Sequence, residues 1–172
     1  MTRGFMGRFG WATLGLLTLA GCASSGGTQT AKEMFDCGAL NQAVASAGNE
    51  FADIKGRFDD TRLTRSWETD VQAFEESCVI TSAQRPDHYV CFGRMESDDP
   101  RGALVVGGEA LAQCLGAGWE ATRDTDDRYL FSRPGTEAVV TLETFLNDRA
   151  RRMGTLSVYQ NVEDAKPVPS DG

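Results

Sequence analysis

The sequence predicts an α+β fold: two helices packed on one face of a shared antiparallel sheet, disulfide-stabilised, built from two α-β-β-β-type repeats. Three observations predict it. Two segments carry apolar residues at helical spacing, and each is closed by a glycine, Gly56 and Gly116. A Trp-Glu pair follows each segment, Trp67-Glu68 and Trp119-Glu120. Runs rich in β-branched and aromatic residues then recur at comparable intervals, around Cys78 and Tyr89 in one half and around Tyr129 and Val139 in the other.

Taken in order, the chain opens with Arg3 and Arg8 ahead of Trp11–Ala20, an apolar run too short to span a bilayer and suited to a signal-peptide core. It ends in Leu19-Ala20-Gly21-Cys22. This tetrad resembles the bacterial lipobox: a branched apolar residue, two small ones that fit a peptidase site, and a cysteine whose thiol takes a diacylglyceryl group. The resemblance implies a signal peptide over 1–21, a lipidated Cys22 as the mature N-terminus, and membrane attachment through that covalent lipid. Residues 22–35 read as a flexible tether, small and polar over Ala23–Thr30. Ala23, rather than Asp, follows the cysteine. In lipoproteins of Gram-negative bacteria this pattern implies forwarding to the periplasmic face of the outer membrane.

Charge and cysteines narrow the class. The chain has 17 Lys+Arg against 25 Asp+Glu, a net charge of −8, and the signal would take two arginines with it. So acidic a body argues against nucleic acid and against broad adsorption on anionic lipid. Five cysteines are an odd set for an exported protein. Assigning Cys22 to lipid leaves Cys37, Cys78, Cys91 and Cys114, which in an oxidising compartment predict two disulfides. A single histidine and the lack of C-x-x-C spacing give no metal site and no cofactor.

The domain is expected over 36–161, with repeats about 36–97 and 98–161. Asp36–Lys55 reads as one helix, N-capped by Asp36, with Leu40, Val44, Ala47, Phe51 and Ile54 on one face. Arg57–Arg65 reads as a polar loop or edge segment. Strands are expected at Ser66–Val71, Ser77–Ser82 and His88–Met95, with Ala83–Asp87 as the hairpin loop. Folding that hairpin about Gln84–Arg85 sets Cys78 opposite Cys91. The favoured pairing is therefore Cys78–Cys91, leaving Cys37–Cys114 to join the start of one helix to the end of the other. Cys37–Cys78 with Cys91–Cys114 is the rival. The second helix is expected at Ala103–Leu115, with Leu104, Val105, Gly108, Leu111 and Leu115 inward. A weak strand at Trp119–Arg123 and stronger ones at Arg128–Ser132, Glu137–Phe145 and Thr155–Asn161 follow. Asn147–Gly154 is the last turn, and 162–172 reads as a disordered tail. The order of elements over Asp36–Asn161 resembles the architecture of the β-lactamase inhibitory proteins, with their tandem helix-plus-sheet repeats and hairpin disulfides. It is also similar to that of the small lipoproteins of outer-membrane assembly machinery. No motif transfers from either, so neither supplies a functional residue.

Few residues point to chemistry. His88 is the only neutral-pH general base by intrinsic pKa. Cys91 lies three residues on, and on a strand that spacing sends the two to opposite faces. Asp124–Asp127 begins like a calcium loop, but Arg128 occupies position five and the loop glycine and closing glutamate are missing. Glu75-Glu76 and Asp98-Asp99 read as solvated turn acids. No catalytic residue is assigned, and the chain is expected not to be an enzyme. Two candidate binding features remain. Strand alternation places Val79, Val90 and Phe92 on the face opposite Cys78, Ile80, Tyr89 and Cys91, and helices can cover only one face. Arg149, Arg151 and Arg152 form a basic cluster suited to lipid headgroups, phosphate or an acidic partner. The sequence thus predicts a membrane-anchored envelope lipoprotein acting as a non-enzymatic binding module for another envelope component, an envelope protein or cell-wall partner. The alternatives are an assembly accessory of an outer-membrane complex and, less favoured, an envelope hydrolase.

Overall fold

The structure is a computed structural model describing residues 34–61, 64–82, 86–95 and 100–161. The signal segment, Cys22, most of the tether, the tip of the first hairpin, residues 96–99 and the C-terminal tail lie outside the described residues. Two helices, α1 (Cys37–Ser46) and α2 (Pro100–Leu115), pack on one antiparallel sheet of eight strands. The strands are β1 (Phe58–Asp60), β2 (Arg65–Glu68), β3 (Ser77–Thr81), β4 (His88–Arg94), β5 (Glu120–Thr125), β6 (Arg128–Ser132), β7 (Ala138–Leu146) and β8 (Arg152–Gln160). Their order across the sheet is β1-β2-β3-β4-β8-β7-β6-β5.

Helix α1 is capped as its sequence dictates. Asp36 sits in extended backbone and its Oδ1 accepts from the Ala39 N–H at 2.9 Å. The helix does not run on to Lys55. It ends at Ser46, tightens into a 3-10 turn over Ala47–Asn49, and then Glu50 and Phe51 take positive φ values of 54° and 61°. Gly48 and Asn49 are poor helix formers, so the break falls where propensity is weakest. Phe51 N–H closes it by donating to Ser46 C=O at 2.9 Å, and Ser46 Oγ donates to Asp53 at 2.9 Å. The break leaves the inward pattern largely intact: Leu40, Ala47, Phe51 and Ile54 are buried and Val44 is half-buried.

Three further boundaries and one helix face differ from the sequence reading. Arg57–Arg65 contains the edge strand β1, so the sheet has eight strands rather than the seven expected. Helix α2 starts at Pro100, where a missing N–H costs nothing in a first turn. Val105 faces solvent, while Gly107 is buried against Met95 and Leu142. The stretch read as tether up to residue 35 overlaps the body: Met34 and Phe35 are buried, and Phe35 forms a bridge to Phe74. At the other end of α2, Gly116 has φ 78° and its N–H returns to Ala112 C=O at 3.0 Å, a left-handed cap open to glycine.

The helices lie over the second half of the sheet and the segments 50–56 and 69–74 over the first. Tyr89 locks the latter. It is fully buried; its hydroxyl donates to Val71 C=O at 2.8 Å and accepts from Ala73 N–H at 3.0 Å. Burial pushes its phenol pKa well up, so it stays a neutral donor. Phe74, next in the chain, lays its ring on Gly93 and Gly154, which face each other across β4 and β8. A Cβ at either glycine would strike that ring, so both positions need the bare backbone. The two disulfides are Cys37–Cys114, tying the start of α1 to the end of α2, and Cys78–Cys91 across the β3–β4 hairpin. Cys78 N–H donates to Gln72 Oε1 at 2.9 Å instead of across the ladder. That is the pattern of a non-hydrogen-bonded pair, where side chains approach most closely.

Candidate functional site

Because both helices and the covering segments share one side, the other side of the sheet has no packed layer among the described residues. Cys78, Ile80, Tyr89 and Cys91 turn inward and are buried, while Val79 and Val90 are half-buried and Phe92 is 38% exposed on the outer side. Strand pairing extends that outer face well beyond these three. One row runs Val79, Val90, Ser157, Thr141, Leu130 and Thr122 across neighbouring strands. The next runs Thr81, His88, Tyr159, Val139 and Ser132, with Val139 buried within the row. A third runs Ser77, Phe92, Thr155, Glu143 and Arg128.

The chemistry of this face is distinctive. Its middle carries β-branched, aromatic and hydroxyl side chains, and charge enters in the third row at Glu143 opposite Arg128 and in the flanking strands. Short hydroxyl side chains lose little entropy on contact, and few charges need stripping of water. His88 is stacked on Tyr159, with ring centroids 4.9 Å apart. Partial burial lowers the pKa of His88, and the Asp87 charge opposes this only in part.

The remaining features sort into structural roles. His88 is on the outer face, while Cys91 is buried in its disulfide on the inner one. Asp87 is buried and holds Lys55 Nζ at 2.6 Å and Ser82 Oγ at 2.7 Å, tying residue 55 to the hairpin; Lys55 also caps the Trp67 ring at 4.2 Å. In the acidic turn, Asp124 pairs with Arg128, Asp127 accepts from Thr125 at 2.6 Å, and Asp126 stands 3.9 Å from Arg123. No three His, Cys, Asp or Glu side chains converge among the described residues. Arg149 and Arg151 lie in an exposed turn, whereas Arg152, read as part of that turn, opens β8. Asn147 Oδ1 organises the turn by accepting from the N–H groups of Arg149 at 3.0 Å and Arg151 at 2.9 Å.

Sequence reasoning named only the β3–β4 part of the outer face. The contributions of β6, β7 and β8 (Leu130, Thr141, Ser157 and Tyr159) were missed, although alternation within each strand carried the same signal. What was lacking was the sheet order that sets β8 beside β4. No family model, no curated protein and no solved structure matches the chain.

Proposed function

We propose that this protein is a lipid-anchored component of a bacterial cell envelope that uses the helix-free face of its sheet to bind another envelope component, without catalysing a reaction. The observation that carries the reading is the outer face itself. It is broad, weakly charged and centred on Val79, Val90 and Phe92, and no layer packs on it among the described residues. Two features support the envelope setting. The Leu19–Cys22 tetrad supplies the anchor, and the disulfides account for all four remaining cysteines, as export to an oxidising compartment requires. The strand order, with four strands after each helix and the last strand of each half at the centre, supports reading the body as two helix-and-sheet units. An accessory role in an outer-membrane complex is the second reading, and the same face serves it.

The test has two parts. Radiolabelled palmitate should enter the wild-type chain and not Cys22→Ala, whose membrane fraction should empty into the soluble one. Crosslinking in cells, then purification, should recover partners with the wild type and lose them with Val90→Asp/Phe92→Asp at unchanged thermal stability. A folded double variant that keeps every partner refutes the face, and a Cys22→Ala protein that stays membrane-bound refutes the anchor.

A further inference from the structure

One corner of the sheet has a composition unlike the rest. Leu146, at the end of β7, is 58% exposed and is the most exposed large apolar side chain among the described residues; Phe145 beside it is 39% exposed. The turn that follows carries Arg149 and Arg151 and leads to Arg152, whose strand position lies opposite Leu146. Asn147 holds the turn's backbone, and Ala150 takes a left-handed φ of 53° within it. Phe145 and Leu146 at the end of β7, Arg149 and Arg151 in the ordered turn, and Arg152 at the start of β8 therefore share one corner of the sheet.

The direction from which the chain enters the body gives this corner its meaning. Met34, the first described residue, lies against Gly107 together with Met95, and Met95 N–H donates to Arg152 C=O at 3.2 Å. The N-terminal segment thus reaches the body at the end of the sheet where the β7–β8 turn sits. Even fully extended, residues 22–33 span no more than about 40 Å. A lipid on Cys22 would keep this end of the sheet towards the bilayer.

We infer that the β7–β8 turn docks on the membrane carrying the anchor, Phe145 and Leu146 entering the headgroup layer while Arg149, Arg151 and Arg152 engage the phosphates of anionic lipids. This rests on the lipid-anchor reading for the direction of approach. Arginine forks match phosphate oxygens, and apolar side chains seat beside them at the interface. The contact is weak by itself. Asp148 lies within the turn, and Glu96, Asp98 and Asp99, which follow Met95 in the chain and lie outside the described residues, are also acidic. Tethering offsets this, because a short linker raises the local concentration to about the millimolar range. The rest of the acidic body is screened beyond about 8–10 Å of the surface. The contact would fix which way the outer sheet face points, setting it beside the membrane rather than against it.

The test couples the purified mature chain through Cys22, its one cysteine outside the disulfides, to maleimide-bearing vesicles, so that it does not depend on lipidation in cells. Leu146→Trp reports depth through quenching by brominated acyl chains, with the parent protein giving the background of Trp67 and Trp119. On phosphatidylglycerol-rich vesicles the introduced tryptophan should be quenched and blue-shifted. R149Q/R151Q/R152Q should weaken the contact by roughly fivefold per arginine, and added salt should weaken it in the same direction. Quenching no greater than the parent's overturns the inference. Equal quenching on phosphatidylcholine, or indifference to both salt and the arginines, overturns the phosphate contact. Concentration-dependent dimerisation without quenching assigns the corner to a second copy and likewise overturns it. Loss of palmitate labelling with vesicle quenching intact would remove the anchor reading and leave the surface chemistry standing.

Discussion

Replacing Tyr89 by Phe isolates one buried oxygen. The ring stays, so the apolar burial stays. What disappears is a donor to Val71 C=O at 2.8 Å and an acceptor for Ala73 N–H at 3.0 Å, in a site where Tyr89 and Ala73 are fully buried. Each backbone group left without a partner costs about 1–3 kcal/mol. Some relaxation of 71–74 recovers part of this, so the expected loss is about 2–4 kcal/mol. At about 4 °C per kcal/mol for a domain of this size, Tm should fall by about 8–16 °C. Urea unfolding followed by tryptophan fluorescence, with disulfides intact, measures it directly, and the m-value should not change. The segment also carries Ala73 C=O, which accepts from Asp36 N–H at 3.1 Å, and it positions Phe74 on the paired glycines. Amide exchange at residues 71–74 should therefore quicken more than exchange in α2. A loss below about 0.5 kcal/mol, or uniform exchange, would refute the view that this hydroxyl holds the covering segment down.

The other predictions are shorter. In the chain-entropy picture Cys37–Cys114, with a sequence separation of 77, contributes about 4.5 kcal/mol and Cys78–Cys91, with a separation of 13, about 3 kcal/mol. Cys37→Ala/Cys114→Ala should thus lower the urea midpoint more than Cys78→Ala/Cys91→Ala; the reverse order would contradict it. Gly93→Ala drives a methyl into the Phe74 ring and should cost about 1–3 kcal/mol, with Phe74→Leu partly rescuing it in a double-mutant cycle. Because burial depresses the pKa of His88 below its ordinary 6.5, the unfolded chain binds the proton more readily. The stability this confers is present above pH 6.5 and is lost as pH falls from there through the folded value. Subtracting the stability–pH curve of His88→Gln from that of wild type should expose that loss, and parallel curves would show that the ring is not desolvated.

Much of the fold was legible because local signals agreed with the tertiary outcome. Residues 128–132 and 77–81 are short runs rich in β-branched and aromatic residues and appear as β6 and β3. The Cys78 and Cys91 register followed from counting back from the hairpin tip, since a two-residue period leaves little freedom once the loop is fixed. Helix periodicity over 36–55 was the misleading signal. Ala47, Phe51 and Ile54 are inward for tertiary reasons, and a left-handed pair at 50 and 51 serves that purpose as well as another helical turn would. Strand β1, exposed at every position, has no hydrophobic pattern to find. The candidate face was half legible for a different reason. Which face of β4 lies outward can be read within the strand, but that β8 adjoins it depends on contacts distant in sequence.

That adjacency has a consequence for how the chain is made. Strand β8, the last of the described strands, pairs with both β4 and β7 and so closes the seam between the two halves of the sheet. Until β8 has been synthesised and released, two half-sheets each present a bare inner edge, the kind of template that pairs with a neighbour's. Vectorial synthesis thus leaves the molecule most vulnerable to aggregation until β8 emerges. Cutting the chain short before residue 152 should yield adhesive fragments rather than a smaller folded protein.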